Sequence, residues 1–229
     1  MSSWVSGLAG RFIVFDGIDG SGKSTQLRRL VSACTEDGVR VCQVREPGGT
    51  TVGERIREIL LDRTQEGMTL RCEMLLYMAS RVQLVEEKIR PALDRRELVL
   101  ADRFVSSTLA YQGSAGGISR DDILAVARVA IGPTWPDLVV IFDVDPASAS
   151  RRTKGVERGK GRGVRPAGSS LFDDRIEQRG DAYQAKVRQG FLEQAAADPD
   201  RYLLIDGTAP EDDVWEALVK GLRARFARS

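Results

Sequence analysis

With 229 residues the chain has room for a substantial core, in one large domain or two small ones. Its 34 Lys and Arg stand against 33 Asp and Glu, a net charge of +1, so nothing global points to a nucleic-acid polyanion as partner. No histidine occurs anywhere, which excludes a Ser-His-Asp triad and histidine-based metal sites and favours chemistry run by positioning and cations.

Arg11–Asp16 (RFIVFD) is a short apolar run that ends at a Gly-rich turn and reads as a buried strand. The stretch before it holds no long apolar core, so neither a signal peptide nor a membrane span is expected, and the cytoplasm is the expected compartment. The turn itself, GIDGSGKST, matches the P-loop pattern Gly17-x-x-x-x-Gly22-Lys23-Ser24 in full, with a strand before and a helix after. Its glycines let successive backbone N–H groups point inward at phosphate oxygens, and the following helix adds a partial positive charge. Lys23 should reach the β- and γ-phosphates of ATP, and the Ser24 hydroxyl should join Mg²⁺. Gly17, Asp19, Gly20, Ser21, Gly22, Lys23, Ser24 and Thr25 are therefore the expected triphosphate-binding stretch.

After it, Leu27, Leu30 and Val31 recur at helical spacing until Gly38, and Val39–Val44 reads as a second strand. Strand, helix and strand in so short a span form a βαβ unit with parallel strands. REPGGT (Arg45–Thr50) follows, where the crevice of such a sheet lies; Arg45 could grip a phosphate bidentately, although alone it would pass for a surface arginine in a turn. Leu75–Ile89 reads as a helix whose apolar stripe is Met74, Leu75, Met78, Val82, Val85 and Ile89. Tyr77 and Arg81, four apart at the edge of that stripe, would suit a flat hydrogen-bonding base.

Leu98–Asp102 is a third strand, and its end places Asp102 and Arg103 at the ligand edge. A carboxylate there can hold Mg²⁺ or its waters, or orient an acceptor, and Arg103 can neutralise phosphate charge. Asp137–Asp145 and Arg201–Asp206 complete five short strands separated by helical stretches. The expected fold is α/β: three α/β/α layers around a five-stranded parallel sheet, with ligands at the carboxyl ends of the strands. Asp16, Asp102 and Asp143 would all face that crevice. No linker or repeat interrupts the chain, so residues 1–229 read as a single domain.

Arg151–Ser170 breaks the pattern with seven Lys or Arg, five glycines and almost nothing apolar. On composition it is a solvated linker, but its position after the fourth strand equally suits a mobile basic lid, here about 151–173. Cys34, Cys42 and Cys72 lack CxxC spacing and read as free thiols of a reducing compartment. No NKxD or DxxG motif supports a GTPase switch, which leaves a small kinase that hands the γ-phosphoryl group to a second substrate.

Taken in order, FDGIDGSGKST, REPGGT, LLYMASRVQLVEEKIRPAL, ADRFVSSTLAYQG, DVDP and DDRIEQRGDAYQAKVRQGF resemble the thymidylate kinase family from Arg11 to the C-terminus. The P-loop is shared by many families; REPGGT combined with DR-x5-AYQG is far more specific. The resemblance implies phosphorylation of dTMP to dTDP, with Asp19 meeting the deoxyribose 3′-OH, Arg45 and Arg103 holding the dTMP phosphate, and Asp102 at Mg²⁺. It further implies that Tyr77 stacks on thymine, that Arg81 donates to O4, that Ser107, Thr108 and Gln112 contact the base region, and that Tyr111 crowds the 2′ position. A homodimer built through the helices around Met74–Ile89 and Asp121–Ile131 is implied too.

There are departures from the family pattern. Asp16 stands where Glu is frequent, and Phe104 where Tyr or His is frequent. Gly20 fills a position that one subtype gives to arginine, so this chain resembles the subtype that takes its cation from the lid. Arg152, read as following the helix after DVDP, is favoured over Arg158 and Arg162 as that cation. Other acceptors, a deoxynucleoside or another monophosphate, remain open at this point, as does a silent nucleotide-binding switch. The basic lid lacks the aromatic interleaving that a stable nucleic-acid site would need.

Overall fold

The computed structural model describes residues 4–62, 67–159 and 180–226, with backbone alone over 154–159. Five strands form one parallel sheet: β1 (Phe12–Asp16), β2 (Val41–Arg45), β3 (Leu98–Asp102), β4 (Leu138–Asp143) and β5 (Tyr202–Asp206). Their spatial order is β2-β3-β1-β4-β5. The chain therefore turns to opposite sides at β1, and the crevice at its carboxyl end is where such sheets bind ligands.

Strand alternation divides the core between the two faces of the sheet. Phe12, Val14, Val99, Ala101, Val139 and Ile141 pack with Met74, Met78, Phe104, Ile123 and Phe191 on one face. Ile13, Phe15, Leu98, Leu100, Val140 and Phe142 pack with Leu27, Leu30, Leu218 and Leu222 on the other. The second face is closed by α1 (Lys23–Glu36) and, near the C-terminus, by the helix Glu211–Phe226. The first is closed by α3 (Leu70–Leu84), on whose outer side α2 (Thr51–Leu61) packs, and by the helices between β3 and β5.

Two helices depart from their sequence reading. α3 begins at Leu70, where the Thr69 side chain caps it by accepting from the Cys72 N–H at 3.3 Å. It gives way to a π-helical stretch at Val85–Ile89 and then to α4 (Arg90–Asp94). The apolar stripe also fails in part: Leu75 and Val82 are 52% and 38% exposed, while Glu73 and Arg81 are buried in their place. Polar residues occupy the inward face because a cleft, rather than plain core, lies behind α3. After β3 come α5 (Val105–Thr108), a second π-helical stretch at Leu109–Ala115 and α6 (Arg120–Ile131).

The helix after DVDP, α7, runs from Pro146 to Gly159, so Arg152 lies inside a helix rather than beyond it. The first nine residues of the basic stretch continue that helix instead of opening a loop, because its Arg, Lys and Glu residues are good helix formers. The rest of the expected lid, residues 160–173, lies outside the described residues, as does Arg162. α8 (Asp181–Ala197) and α9 (Glu211–Phe226) complete the fold. Among the described residues no helix is long and apolar enough to cross a membrane.

Cys34 is buried, Cys42 half-buried and Cys72 exposed, and all three are free thiols. Burial, helped by Asp37, pushes the Cys34 thiol up from 9.0 to about 12. The folded state thus holds this proton more tightly than the unfolded chain, so its contribution to stability is complete below pH 9 and is lost as pH rises toward 12. Urea unfolding at a series of pH values should show stability falling above pH 9, and Cys34→Ala should flatten that fall.

Candidate active site

The P-loop joins β1 to α1, and its glycines answer two different demands. Gly17, Gly20 and Gly22 all have positive φ, at +134°, +78° and +93°. At Gly17 a Cβ would also lie 2.5 Å from the Phe142 carbonyl oxygen, and at Gly20 the same distance from that of Ala149 on α7. The Lys23 ammonium sits inside the loop, donating to the carbonyls of Gly17 and Ile18 at 3.0 Å each, and lies 3.7 Å from Asp19. Burial, and then the nearby Arg103 charge, hold its pKa below the ordinary lysine value. Ser24 is exposed on the first turn of α1, and Thr25 beside it is half-buried.

The three strand-end aspartates have different fates. Asp16 is fully buried and accepts from the Gly17 N–H at 3.0 Å, the Ser106 and Ser107 hydroxyls at 2.7 Å each, and Arg103 Nη1 at 3.2 Å. Asp143 is held by Arg188 of α8 through two contacts of 2.6 and 2.8 Å. Asp102 alone of the three keeps an enclosed oxygen, Oδ1, without a hydrogen-bond partner. Burial raises its pKa, against the pull of Lys23 and Arg103. A cation at Oδ1 would relieve that cost. Among the described residues no cage of three or more Cys, Asp or Glu gathers, but Mg²⁺ at a nucleotide needs only one or two carboxylates beside phosphate and water.

Arg103 stands at the hub. Its backbone is left-handed, φ +73°, a conformation that costs about 1–3 kcal/mol for a side chain of this size and clusters at functional sites. Its N–H bonds the Phe15 carbonyl at 3.0 Å. Its guanidinium bonds Asp16, Ser107 at 3.0 Å and Asp19 at 2.7 Å, and lies 5.3 Å from the Tyr111 ring centroid.

Beside the hub opens a cleft lined by Glu46, Pro47, Tyr77, Arg81, Arg103, Ser107, Thr108, Tyr111 and Gln112. Seven residues singled out in the sequence thus come together: Tyr77, Arg81, Arg103, Ser107, Thr108, Tyr111 and Gln112. Asp19 lies at the border with the P-loop, through its bond to Arg103. Arg45 is not on the wall; its Nη2 donates to both Glu54 carboxylate oxygens, at 2.9 and 3.1 Å. Arg81, far from being a surface charge, is 1% exposed and lies over Phe104, its centre 5.1 Å from that ring's centroid. Phe104 in turn meets Phe12 edge to face at 5.0 Å, which gives this aromatic a core role needing no polar group.

Arg152 sends Nη1 to the Gly207 carbonyl at 2.7 Å and toward the Gly20 carbonyl at 3.5 Å, and Nη2 to Thr208 at 3.3 Å. It therefore bridges the P-loop and the turn after β5. Arg158 falls on the last turn of α7, where its side chain is outside the described residues. Sequence reasoning gave no separate role to Glu46, Pro47 and Ser106, although they lie inside the quoted motifs, and passed over Glu54 and Glu73 altogether. Glu46 and Pro47 line the cleft, while Glu54, Glu73 and Ser106 stand behind it as partners of Arg45, Gln112 and Asp16.

The family model of thymidylate kinase matches residues 15–218. This chain belongs to the thymidylate kinase family. It is 43% identical over 213 residues to the thymidylate kinase of Deinococcus radiodurans, covering 91% of this chain and 96% of that one. Against the thymidylate kinase of Nitratidesulfovibrio vulgaris it is 38% identical over 213 residues, covering 93% and 96%. The crystal structure of thymidylate kinase from Ehrlichia chaffeensis superposes with a TM-score of 0.70 at 30% identity, covering 93% of this chain and 98% of that one. The chain is accordingly an enzyme, an ATP-dependent kinase that phosphorylates dTMP to dTDP, and its five-stranded α/β fold is that of its relatives.

Asp16→Asn keeps the shape of the hub but removes the charge facing buried Arg103. It should destabilise the protein by about 3–5 kcal/mol, read by denaturant unfolding, because Arg103 is left with a buried charge short of one partner.

Proposed function

We propose that the chain transfers the ATP γ-phosphoryl group in line to the dTMP phosphate, with the donor in the P-loop and the acceptor in the Tyr77–Gln112 cleft. One observation carries this placement: Asp19 is met by Arg103 at 2.7 Å from the cleft side and by Lys23 at 3.7 Å from the loop side. Donor and acceptor cations thus share one carboxylate, so two phosphates gripped by them would lie next to each other. Lys23 neutralises the β- and γ-phosphates, and Arg103 holds the acceptor phosphate. Arg45 joins it by exchanging Glu54 for that phosphate. Asp19 takes the 3′-OH, Tyr77 stacks on the base, Arg81 donates to O4, and Ser107, Thr108 and Gln112 border the base while Tyr111 crowds the 2′ position.

Asp102 and Ser24, both hard oxygen donors, would hold Mg²⁺, which when bound supplies charge neutralisation to the phosphates. The acceptor phosphate is already a good nucleophile at neutral pH, so no general base is needed in a chain without histidine. Catalysis then rests on alignment and on preplaced positive charge. The basic segment at about 151–173 acts as a lid over one domain spanning the chain, in the cytoplasm, with no stable nucleic-acid or membrane partner. A second copy covers α2, α3 and α6, where Val52, Ile59, Leu75, Val82 and Val129 are left exposed, Val129 by 89%.

An ADP-release assay across dTMP, dUMP, dCMP, AMP and thymidine should show dTMP preferred; comparable turnover of AMP would overturn the placement. Arg152 tests the lid. If it or its helix delivers the catalytic cation, Arg152→Ala should lower kcat by ~10³-fold while the ATP KM moves little. If its bonds to Gly207 and Thr208 are all it contributes, the ATP KM will rise and kcat will hold.

A further inference from the structure

Two buried carboxylates support the cleft, Glu73 behind its wall with no exposure and Glu46 on the wall with 6%. Each is bonded to one residue of the cleft wall. Glu46 accepts from Arg81 Nε at 3.0 and 2.8 Å, one bond to each oxygen, and from Nη2 at 2.6 Å. Nη2 also donates to the Phe104 carbonyl at 3.0 Å and the Thr108 hydroxyl at 3.2 Å. Nη1 is the nitrogen not committed to an oxygen in this set; it lies 3.0 Å from the Met78 sulfur, a weak acceptor. The guanidinium is thereby fixed in its plane, and all it can offer the cleft is a donor.

Glu73 acts on Gln112, whose Nε2 donates to Glu73 Oε1 at 2.8 Å. An amide has one donor end and one acceptor end, and a carboxylate oxygen only accepts. Turning the amide over would set Oε1 against the carboxylate, lone pair to lone pair. Gln112 is therefore held with its carbonyl oxygen as the end left to the cleft. Glu73, Tyr77 and Arg81 follow one another at four-residue steps on α3, so one helix face carries a polarity-setting acid, an aromatic plane and a donor.

We propose that Glu73 and Glu46 are positioning residues of the base-reading wall: Glu46 holds Arg81, a donor by its chemistry, in its plane, and Glu73 sets Gln112 as acceptor. That pair complements a pyrimidine carrying a 4-oxo group beside an N3–H. It is the inverse of cytosine, which offers a 4-amino donor beside a bare N3. A site built for one pattern rejects the other because its own buried polar groups are left unpaired. The inference rests on reading the Tyr77–Gln112 cleft as the dTMP base site.

The test compares kcat/KM for dTMP and dCMP at saturating ATP; the two share sugar and phosphate and differ at the edge in question and by the 5-methyl group, whose effect is common to every variant compared. The unaltered protein should favour dTMP strongly. Glu73→Gln keeps the size of the side chain but can donate as well as accept, which frees the Gln112 amide to turn. Its dTMP value should fall and its dCMP value rise, narrowing the ratio by about tenfold or more, with the ATP KM unchanged. Glu46→Gln, on a different element, should narrow the ratio in the same direction by loosening Arg81, and either variant decides if the other does not fold. A parallel fall for both substrates, with the ratio intact, is what general loosening of the cleft would give and would overturn the proposal. So would near-equal use of dTMP and dCMP by the unaltered protein. Absence of turnover with any pyrimidine monophosphate would instead count against the placement of the acceptor site itself.

Discussion

The site hangs on one buried carboxylate. Asp16 ends the central strand and bonds the first residue of the P-loop, the arginine that follows β3 and two serines of α5. Without a negative charge there, the Arg103 guanidinium would face the low-dielectric interior with Asp19 as its chief partner, and α5 would lose its anchor to the sheet. Burying the acid is tolerable because four donors surround it and none of its lone pairs is wasted on solvent. Donor loop and acceptor cleft are thus set relative to each other by a group that belongs to neither.

Around that anchor the charges alternate: Lys23, Asp19, Arg103 and Asp16 form a chain of opposite signs, with Asp102 alongside. Burial lowers the lysine and raises Asp102, so each is a site whose charged form an incoming counter-charge would favour. For an enzyme that must bring two polyanions together, such preplaced cations remove much of the repulsion before any chemistry begins.

The fold was legible in the sequence to an unusual degree, since each strand is a short apolar run closed by a charged residue, and the P-loop pattern fixes what lies on either side of it. β3 matches its sequence reading end to end, and the other four begin or finish within two residues of theirs. Less legible was anything that depends on turn width. AYQG sits on a π-helical stretch and LVEEKI runs through another, and no residue preference announces a single widened turn. In the site, residues with chemistry written in their type, Lys23, Arg81 and Arg103, could be found from motif and spacing. Their supporting acids could not: Glu73 looks like an ordinary surface charge in a chain that is 29% charged, and nothing in REPGGT says that its Glu46 pairs with Arg81; only their neighbours in space give them roles. Arg45 shows the opposite gap, a motif arginine whose partner here is Glu54.

Gly20 has a consequence for how this enzyme could have evolved. The Ala149 carbonyl occupies the volume that any side chain at position 20 would need, and the backbone there is one that glycine adopts freely. Placing a cation in the loop would therefore require unseating α7, the very helix that carries the basic stretch. The two ways of supplying positive charge compete for the same few ångströms. A lineage with α7 seated as it is here cannot drift from one arrangement to the other by single substitutions; it must move the helix and the charge together.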